Sequence, residues 1–171
     1  MKYTKILLIA FLFCFMQNVF SQEAAEVVIE NAQKKAKAEN KNVLVFFHAS
    51  WCGWCKKMEK KMTLPETQKL FNDNYVLASL DVLERGEKEK LENPNGEEWM
   101  AKYGGKTAGL PFFVFINGNG EVLENSFDAN GDNLGCPSTT EEIAIFIAKL
   151  EKTSKLNKAD LATIQKVFGE K

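Results

Sequence analysis

The chain has 171 residues with a nearly even charge balance: 22 basic residues stand against 23 acidic ones, and 45% of all residues are hydrophobic. A chain of this length can bury a hydrophobic core without covalent cross-links, so we expect a single folded domain. The small acidic excess argues against nucleic acid as a partner and against binding to an anionic membrane surface.

The first 21 residues have the pattern of a secretion signal. Lys2 and Lys5 form a positively charged start, and the apolar run of residues 6–16 is too short for a relaxed membrane span. Val19-Phe20-Ser21 offers residues that permit cleavage ahead of Gln22. An uncleaved membrane anchor is the alternative, which the short apolar run disfavours.

Cleavage near Ser21-Gln22 would leave residues 22–171 as one domain with a net charge of −3. The removed segment contains two lysines and no acidic residue, so 20 basic residues remain against 23 acidic ones. Three cysteines also remain, too few for a disulfide scaffold. An exported protein reaches a compartment where disulfides persist, and we therefore expect a periplasmic or secreted location.

Hydrophobic periodicity predicts an alternation of helices and strands along the chain. Helices are predicted for residues 22–40, 52–62, 66–72, 97–103 and 139–150, followed by a last helix that Asn157 caps and that ends at residue 168. Strands are predicted for residues 43–48, 75–82, 112–116 and 121–127. This order places a βαβ half before a ββα half, which indicates a central sheet covered by helices on both faces.

Local signals define several connections between these elements. Asn117-Gly118-Asn119-Gly120 is typical of a hairpin turn. Residues 84–95 are highly charged and are followed by Gly96, so we expect an exposed loop there. The helix at residues 139–150 can begin with a capping box formed either by Ser138 and Glu141 or by Thr139 and Glu142.

The most informative motif is Trp51-Cys52-Gly53-Trp54-Cys55, at the junction between the first predicted strand and the second predicted helix. Unpaired N–H groups and the positive end of the helix dipole stabilise a thiolate at such a position. The second cysteine lies about one turn further on, within reach of a disulfide. We therefore expect the Cys52 sulfur to be exposed on the first helical turn, with Cys55 beneath it.

This motif after an apolar strand, together with Gly109-Leu110-Pro111 before another apolar strand, resembles the thioredoxin superfamily over about residues 24–150. The resemblance is closest to exported, single-domain thioredoxin-like proteins of bacteria. It implies an α/β thioredoxin fold, with a central mixed four-stranded sheet flanked by helices and with an added N-terminal helix and C-terminal helix. In that family the proline of the Gly109-Leu110-Pro111 position follows a cis peptide bond.

The resemblance implies a thiol–disulfide oxidoreductase with Cys52 as the attacking nucleophile and Cys55 as the resolving thiol. The backbone before the proline would pair with an extended substrate segment. The substrate-binding residues that this implies are Trp51, Gly53, Trp54, Leu110 and Pro111. The alternatives from the residues alone are a structural disulfide, an ordinary trans proline at a strand start, and a tryptophan at position 51 that packs against the sheet edge.

The same resemblance implies which partners the protein needs. No organic cofactor and no metal takes part in such dithiol exchange. We expect protein disulfides or dithiols as substrates and a second redox protein that recycles the pair. A membrane-embedded donor is one candidate for this recycling protein. We expect no binding of nucleic acid, and a monomeric chain. Family analogy favours a reductase over an oxidase.

The chain departs from thioredoxins at three places. Phe46 occupies the strand position where thioredoxins usually carry a buried Asp that assists proton transfer at the second cysteine. The dipeptide between the cysteines is Gly-Trp rather than Gly-Pro, and residues 84–108 form a longer and more charged segment that is a candidate binding surface.

Two other classes of function stay open. His48, Cys52, Cys55 and Cys136 have the side chains of a Cys₃His zinc site, although no second Cys-x-x-Cys is present. A non-catalytic binding or chaperone domain would use the tryptophans and the charged segment to hold partners. For His48, the only histidine, a sulfur-tuning, proton-shuttling or purely structural role remains open, and Cys136 is expected to be an unreactive thiol.

Overall fold

The structure is a computed structural model, and it describes residues 22–170. The predicted signal segment lies outside these described residues. Within the described part, none of the helices combines the length and the apolar composition needed to cross a membrane.

The described elements follow the predicted order closely. The helices are α1 (Ala25–Glu39), α2 (Gly53–Thr63), α3 (Pro65–Asn74), α4 (Gly96–Lys102), α5 (Thr140–Thr153) and α6 (Lys158–Gly169). The strands are β1 (Asn42–His48), β2 (Tyr75–Asp81), β3 (Phe112–Ile116) and β4 (Val122–Asn125). A short 3₁₀ helix, Gly86–Leu91, lies between β2 and α4.

The four strands form one mixed sheet in the order β2-β1-β3-β4. β1 runs parallel to β2 and antiparallel to β3, and β3 runs antiparallel to β4. With α1 before the sheet and α5 and α6 after it, this architecture confirms the predicted fold class.

The sheet separates two apolar cores, because successive side chains of a strand point to opposite faces. Val43, Val45 and Phe47 of β1 belong to the core that α1 and α4 cover. Leu44 and Phe46 belong to the core that α2, α5 and α6 cover. Burial on both faces explains why β1 and β3 are continuously apolar rather than alternating.

The helix starts also follow the sequence signals. The capping box of α5 uses the second of the two predicted pairs, Thr139 with Glu142. Asn157 caps α6 as predicted, with Asp160 as its reciprocal partner. Side-chain oxygens thereby satisfy amide groups that the first turn of each helix leaves unpaired.

The prediction of an exposed loop over residues 84–95 is wrong in part. The segment contains the 3₁₀ helix, and the side chains of Glu84 and Asn93 are buried. Their burial is tolerated because both are hydrogen-bonded: the amide oxygen of Asn93 accepts the backbone N–H of Asp81, and its NH₂ group donates to the Glu23 carbonyl.

A buried lysine ties α2 to the C-terminal helix. The ammonium group of Lys61 donates hydrogen bonds to the carbonyls of Val167, Phe168 and Glu170 at 2.7, 2.9 and 2.7 Å. The last carbonyls of a helix have no partner within it, so the lysine satisfies groups that would otherwise be unpaired. α6 thus adds a packing layer behind the helix that carries the two cysteines.

We predict that Lys61→Met destabilises the fold by about 2 kcal/mol, because several charge-assisted hydrogen bonds are lost and their carbonyl acceptors stay partly buried. Lys60→Met, at an exposed position in the same helix, should change the free energy of unfolding by less than about 0.5 kcal/mol. Urea unfolding of both variants measures the difference. Equal stability of the two variants would contradict this role of Lys61.

Candidate functional site

The two cysteines of the motif lie at the start of α2. Cys52 is the N-cap residue, and its sulfur accepts a hydrogen bond from the backbone N–H of Cys55 at 3.0 Å. The two residues are joined by a disulfide, with 5.3 Å between their Cα atoms. The predicted placement of the first sulfur at a helix N-terminus is therefore confirmed.

The predicted exposure of the Cys52 sulfur is wrong for this disulfide-bonded state. Cys52 is 3% exposed and Cys55 is 2% exposed. Both belong to the core between the sheet and α2, and Leu110 packs against that core. In the disulfide-bonded state, access to Cys52 is therefore limited to the surface around the motif.

Two exposed tryptophans flank the disulfide. Trp51 and Trp54 are 42% and 52% exposed. The indole N–H of Trp51 donates to the Leu83 carbonyl at 2.7 Å, and the Arg85 guanidinium lies 3.9 Å from the centre of its ring. Trp51 is thus held by the segment after β2 rather than by the sheet edge alone, and its remaining apolar surface faces outward.

The second predicted motif lies on the other side of the disulfide. The Leu110–Pro111 peptide bond is cis, as the resemblance implies. We call Gly109-Leu110-Pro111 the proline loop. It borders a groove of about 300 Å³ whose lining includes Trp54, Leu110, Cys136 and Glu142. The structure therefore brings Trp54 of the motif and the proline loop to one surface.

Cys136 lines this groove but is buried and makes no disulfide. Burial raises the pKa of its thiol, although the positive charges of Lys61 and Lys57 act in the opposite direction. A protonated, buried thiol is a poor nucleophile. The environment therefore supports the expectation of an unreactive thiol.

His48 contacts Asp81 and Phe46. Its Nδ1 lies 3.6 Å from the Asp81 carboxylate, and its ring stacks on Phe46 with 5.5 Å between centroids. In the part of the chain that the structure describes, no group of three or more His, Cys, Asp or Glu side chains is arranged to hold a metal ion. Of the four side chains considered as zinc ligands, Cys52 and Cys55 are bonded to each other, His48 lies beside Asp81, and Cys136 is a buried free thiol.

A buried carboxylate that the sequence pattern did not reveal supports the motif from the charged segment. Glu84 accepts hydrogen bonds from the backbone N–H and from the hydroxyl of Ser50, two residues before Cys52. The Lys88 ammonium donates to the same hydroxyl at 3.0 Å. Burial alone would raise the pKa of Glu84, but the Ser50 hydrogen bonds and the nearby charges of Lys88 and His48 outweigh it, so that the pKa lies below its ordinary value.

Asn133 is a second residue near the site that sequence reasoning missed. Its side-chain NH₂ group donates to the carbonyls of Gly109 and Pro111 in the proline loop. The surrounding run of Gly, Asn and Asp indicates only a loop. No sequence signal shows that one amide of this loop contacts a segment 24 residues away.

Comparison with known proteins gives a consistent assignment. A family model described as a thioredoxin-like domain matches residues 29–126, more than half of the chain. Protein disulfide-isomerase A3 of Gallus gallus is 45% identical over 56 residues, which are 32% of this chain and 11% of that protein. The chain thus spans about a tenth of the length of this relative.

Two further matches cover more of the chain. The disulfide bond reductase DsbH of Chlamydia pneumoniae is 25% identical over 128 residues, which are 73% of this chain and 69% of that protein. A solved disulphide isomerase of Xylella fastidiosa Temecula1 has a TM-score of 0.50 at 23% identity and covers 64% of this chain and 79% of its own. At that identity the structural match supports the fold.

We predict that, after reduction, iodoacetamide alkylates Cys52 at least about tenfold faster than Cys136 near neutral pH. Cys52 and Cys136 are both buried in the disulfide-bonded protein. After reduction, the Cys55 N–H and the helix dipole should stabilise a thiolate at Cys52, whereas burial raises the pKa of Cys136. Peptide mass analysis after timed quenching measures both rates, and urea should make Cys136 fully reactive. Equal rates in the folded protein would contradict the prediction.

We predict that Glu84→Gln lowers the free energy of unfolding by about 1 kcal/mol near pH 7, because one charge-assisted acceptor of Ser50 is lost. The pKa of Glu84 is depressed in the folded protein, so its ionised form stabilises the fold above the unfolded-state pKa of about 4.5. That contribution disappears as the pH falls through the folded-state pKa. The difference from wild type should therefore shrink as the pH falls below the unfolded-state pKa and close once the pH lies below the folded-state pKa.

The matched control is Glu87→Gln, an exposed glutamate of the 3₁₀ helix. It should leave the unfolding free energy unchanged within about 0.5 kcal/mol at every pH. Urea titrations at several pH values provide the measurement. A difference between Glu84→Gln and wild type that does not shrink on acidification would show that the Glu84 charge is not the stabilising element.

Proposed function

This chain belongs to the thioredoxin-like family, and we propose that it is an exported thiol–disulfide oxidoreductase that acts on protein disulfides through Cys52 and Cys55. The observation that carries the proposal is the disulfide at the start of α2, whose first sulfur accepts the Cys55 N–H. That hydrogen bond and the helix dipole stabilise the thiolate that forms when the disulfide is reduced. Its relatives, a protein disulfide-isomerase and a disulfide bond reductase, are consistent with this class of reaction.

The exchange proceeds in two displacements at sulfur. In the reduced protein the Cys52 thiolate attacks one sulfur of the partner disulfide, forms a mixed disulfide and releases the other partner sulfur as a thiolate. Cys55, once deprotonated, attacks the Cys52 sulfur, closes the Cys52–Cys55 disulfide and releases the second partner sulfur. Two electrons and two protons pass to the partner, and a second dithiol protein must return the pair to its reduced state.

The exposed surface around the disulfide is the proposed substrate-binding site. Trp51 and Trp54 offer apolar area on two sides of the motif, and a Cβ at Gly53 would meet no atom within 4 Å, so the surface beside Cys52 is open. The backbone of Leu110, before the cis proline, offers polar groups to an extended chain. These contacts suit a protein segment better than a small molecule, because they are spread across an open surface.

We place the reaction outside the cytoplasm and in the direction of reduction. The export pattern of residues 1–21 supports the location, with residues 22–171 as the mature, monomeric domain. The name of the Chlamydia pneumoniae relative, a disulfide bond reductase, supports the direction. The recycling partner would be a dithiol donor, and a membrane-embedded protein is the candidate that fits an exported reductase.

We predict that reduced Cys55→Ser accumulates a mixed disulfide with insulin or another disulfide-containing protein, because the resolving sulfur is missing. Cys52→Ser should form none, because the attacking sulfur is missing. Both variants are made in a Cys136→Ser background, so that the buried third thiol cannot contribute. Non-reducing electrophoresis and mass analysis identify the adduct. An adduct that forms with Cys52→Ser and not with Cys55→Ser would reverse the roles assigned to the two cysteines.

The direction of the reaction is tested by the reduction potential of the pair against glutathione. Dithiol–disulfide couples of this type range from about −270 mV for reductants to about −120 mV for strong oxidants. A reductase should fall in the reducing half of this range. If Cys55→Ser forms no mixed disulfide and the wild-type protein does not accelerate insulin reduction by dithiothreitol, the proposed function is overturned and a non-catalytic binding domain is favoured.

A further inference from the structure

The side chain of Asn133 uses all of its hydrogen-bonding groups around the proline loop. Its NH₂ group donates to the Gly109 carbonyl at 2.7 Å and to the Pro111 carbonyl at 3.1 Å. Its amide oxygen accepts the Ser126 hydroxyl at 2.6 Å and the Gly135 N–H at 3.3 Å. The two carbonyls can only accept, so the partners themselves determine which side of the amide faces the loop.

The oxygen side of this amide is attached to the central sheet. Ser126 is fully buried, and its hydroxyl oxygen accepts the backbone N–H of Phe113 in β3 at 3.3 Å. The Leu134 N–H donates to the Ser126 carbonyl at 2.8 Å, which closes the loop that carries Asn133. Asn133 is therefore a fixed bridge between the second residue of β3 and the proline loop.

This bridge determines which polar groups of the proline loop stay free. The Gly109 carbonyl and the Leu110 N–H belong to one planar trans peptide unit and point in opposite directions. When the carbonyl points at Asn133, the Leu110 N–H must point away from it. Within residues 22–170 no hydrogen bond of the Leu110 N–H or carbonyl is found, whereas the carbonyls on both sides of Leu110 are occupied.

We propose that Asn133 is a positioning residue that presents the Leu110 backbone to an extended substrate segment. The inference rests on the proposed function, since it assigns Asn133 to the substrate-binding side of that reaction. Asn133 acts through the loop carbonyls and does not touch the reacting sulfurs. Its loss should weaken the binding of substrates that pair with a backbone, and it should leave the sulfur chemistry unchanged.

The test is Asn133→Asp, which keeps the size of the side chain and its acceptor for Ser126 and Gly135. A carboxylate cannot donate, so the two loop carbonyls would face an oxygen and the loop would turn away. We expect the KM for a self-quenched peptide disulfide to rise about tenfold, the factor that corresponds to one or two lost hydrogen bonds, with kcat nearly unchanged. The rate with hydroxyethyl disulfide, which has no peptide backbone, should change less than about twofold.

The matched control is Asn125→Asp, the same chemical change at the end of β4. Asn125 directly precedes Ser126, the residue that donates a hydrogen bond to Asn133. The side-chain oxygen of Asn125 accepts the Phe127 N–H, and an aspartate keeps that acceptor. This variant adds the same negative charge. It should leave unchanged the KM for the peptide disulfide, the rate with hydroxyethyl disulfide and the reduction potential of the Cys52–Cys55 pair. If it raises the KM as strongly as Asn133→Asp, charge alone explains the effect and the positioning role is overturned.

Further outcomes separate the inference from the proposed function. If Asn133→Asp loses activity equally with the peptide disulfide and with hydroxyethyl disulfide, or if the KM for the peptide is unchanged, the role of Asn133 is overturned. If Asn133→Asp does not fold, as judged by circular dichroism, Asn133→Ser retains one donor and should show the same selective rise in KM, to a smaller extent. A wild-type protein that exchanges with neither substrate would instead overturn the proposed function itself.

Discussion

The hydrogen bond from the Cys55 N–H to the Cys52 sulfur is the interaction on which the site depends. It exists because β1 ends at His48 and α2 begins at Gly53, which leaves Cys52 as the N-cap with its side chain over the unpaired amides of the first turn. A serine or aspartate would be an ordinary cap at this position. A cysteine there converts a structural device into a reactive one, because the group that caps the helix is also the group that the helix stabilises as an anion.

Two segments distant in sequence support the motif from opposite sides. On one side Glu84 accepts both donors of Ser50, and the Leu83 carbonyl with the Arg85 guanidinium holds Trp51. On the other side Asn133 holds the carbonyls of the proline loop. Both supports use polar side chains whose bonds are made within the fold, which fixes geometry more sharply than apolar packing alone. The exposed surface between them is left to apolar and backbone groups, the types of group that accept varied protein segments.

The sequence predicted the fold and the placement of the cysteine pair better than it predicted these supports. The strands β1 and β3 were predictable because both are continuous apolar runs buried on both faces, and the ends of these two strands moved by one residue or not at all. The last strand, predicted for residues 121–127, is shorter and ends at Asn125. The position of Cys52 followed from the meeting of a strand pattern and a helix pattern. Glu84 was missed because a glutamate in a charged run indicates solvent, and only the contact with Ser50, 34 residues away, explains its burial. The buried state of Cys52 was missed for a related reason, since exposure at a helix start depends on what the side chain bonds to.

In the proposed exchange Cys55 must lose a proton before it attacks the mixed disulfide, and Phe46 does not supply a base for that step. This residue is buried in the core that contains both cysteines, and its ring carries no atom able to accept a proton. The reaction itself supplies a base, because the first displacement releases a partner thiolate beside the site. A thiolate can take the proton of a neighbouring thiol directly, so an internal carboxylate is dispensable in principle. The partner then affects two steps in opposite ways: a more acidic partner thiol leaves faster in the first displacement but is a weaker base for the second. A site of this design would favour partner disulfides whose thiols have intermediate pKa values.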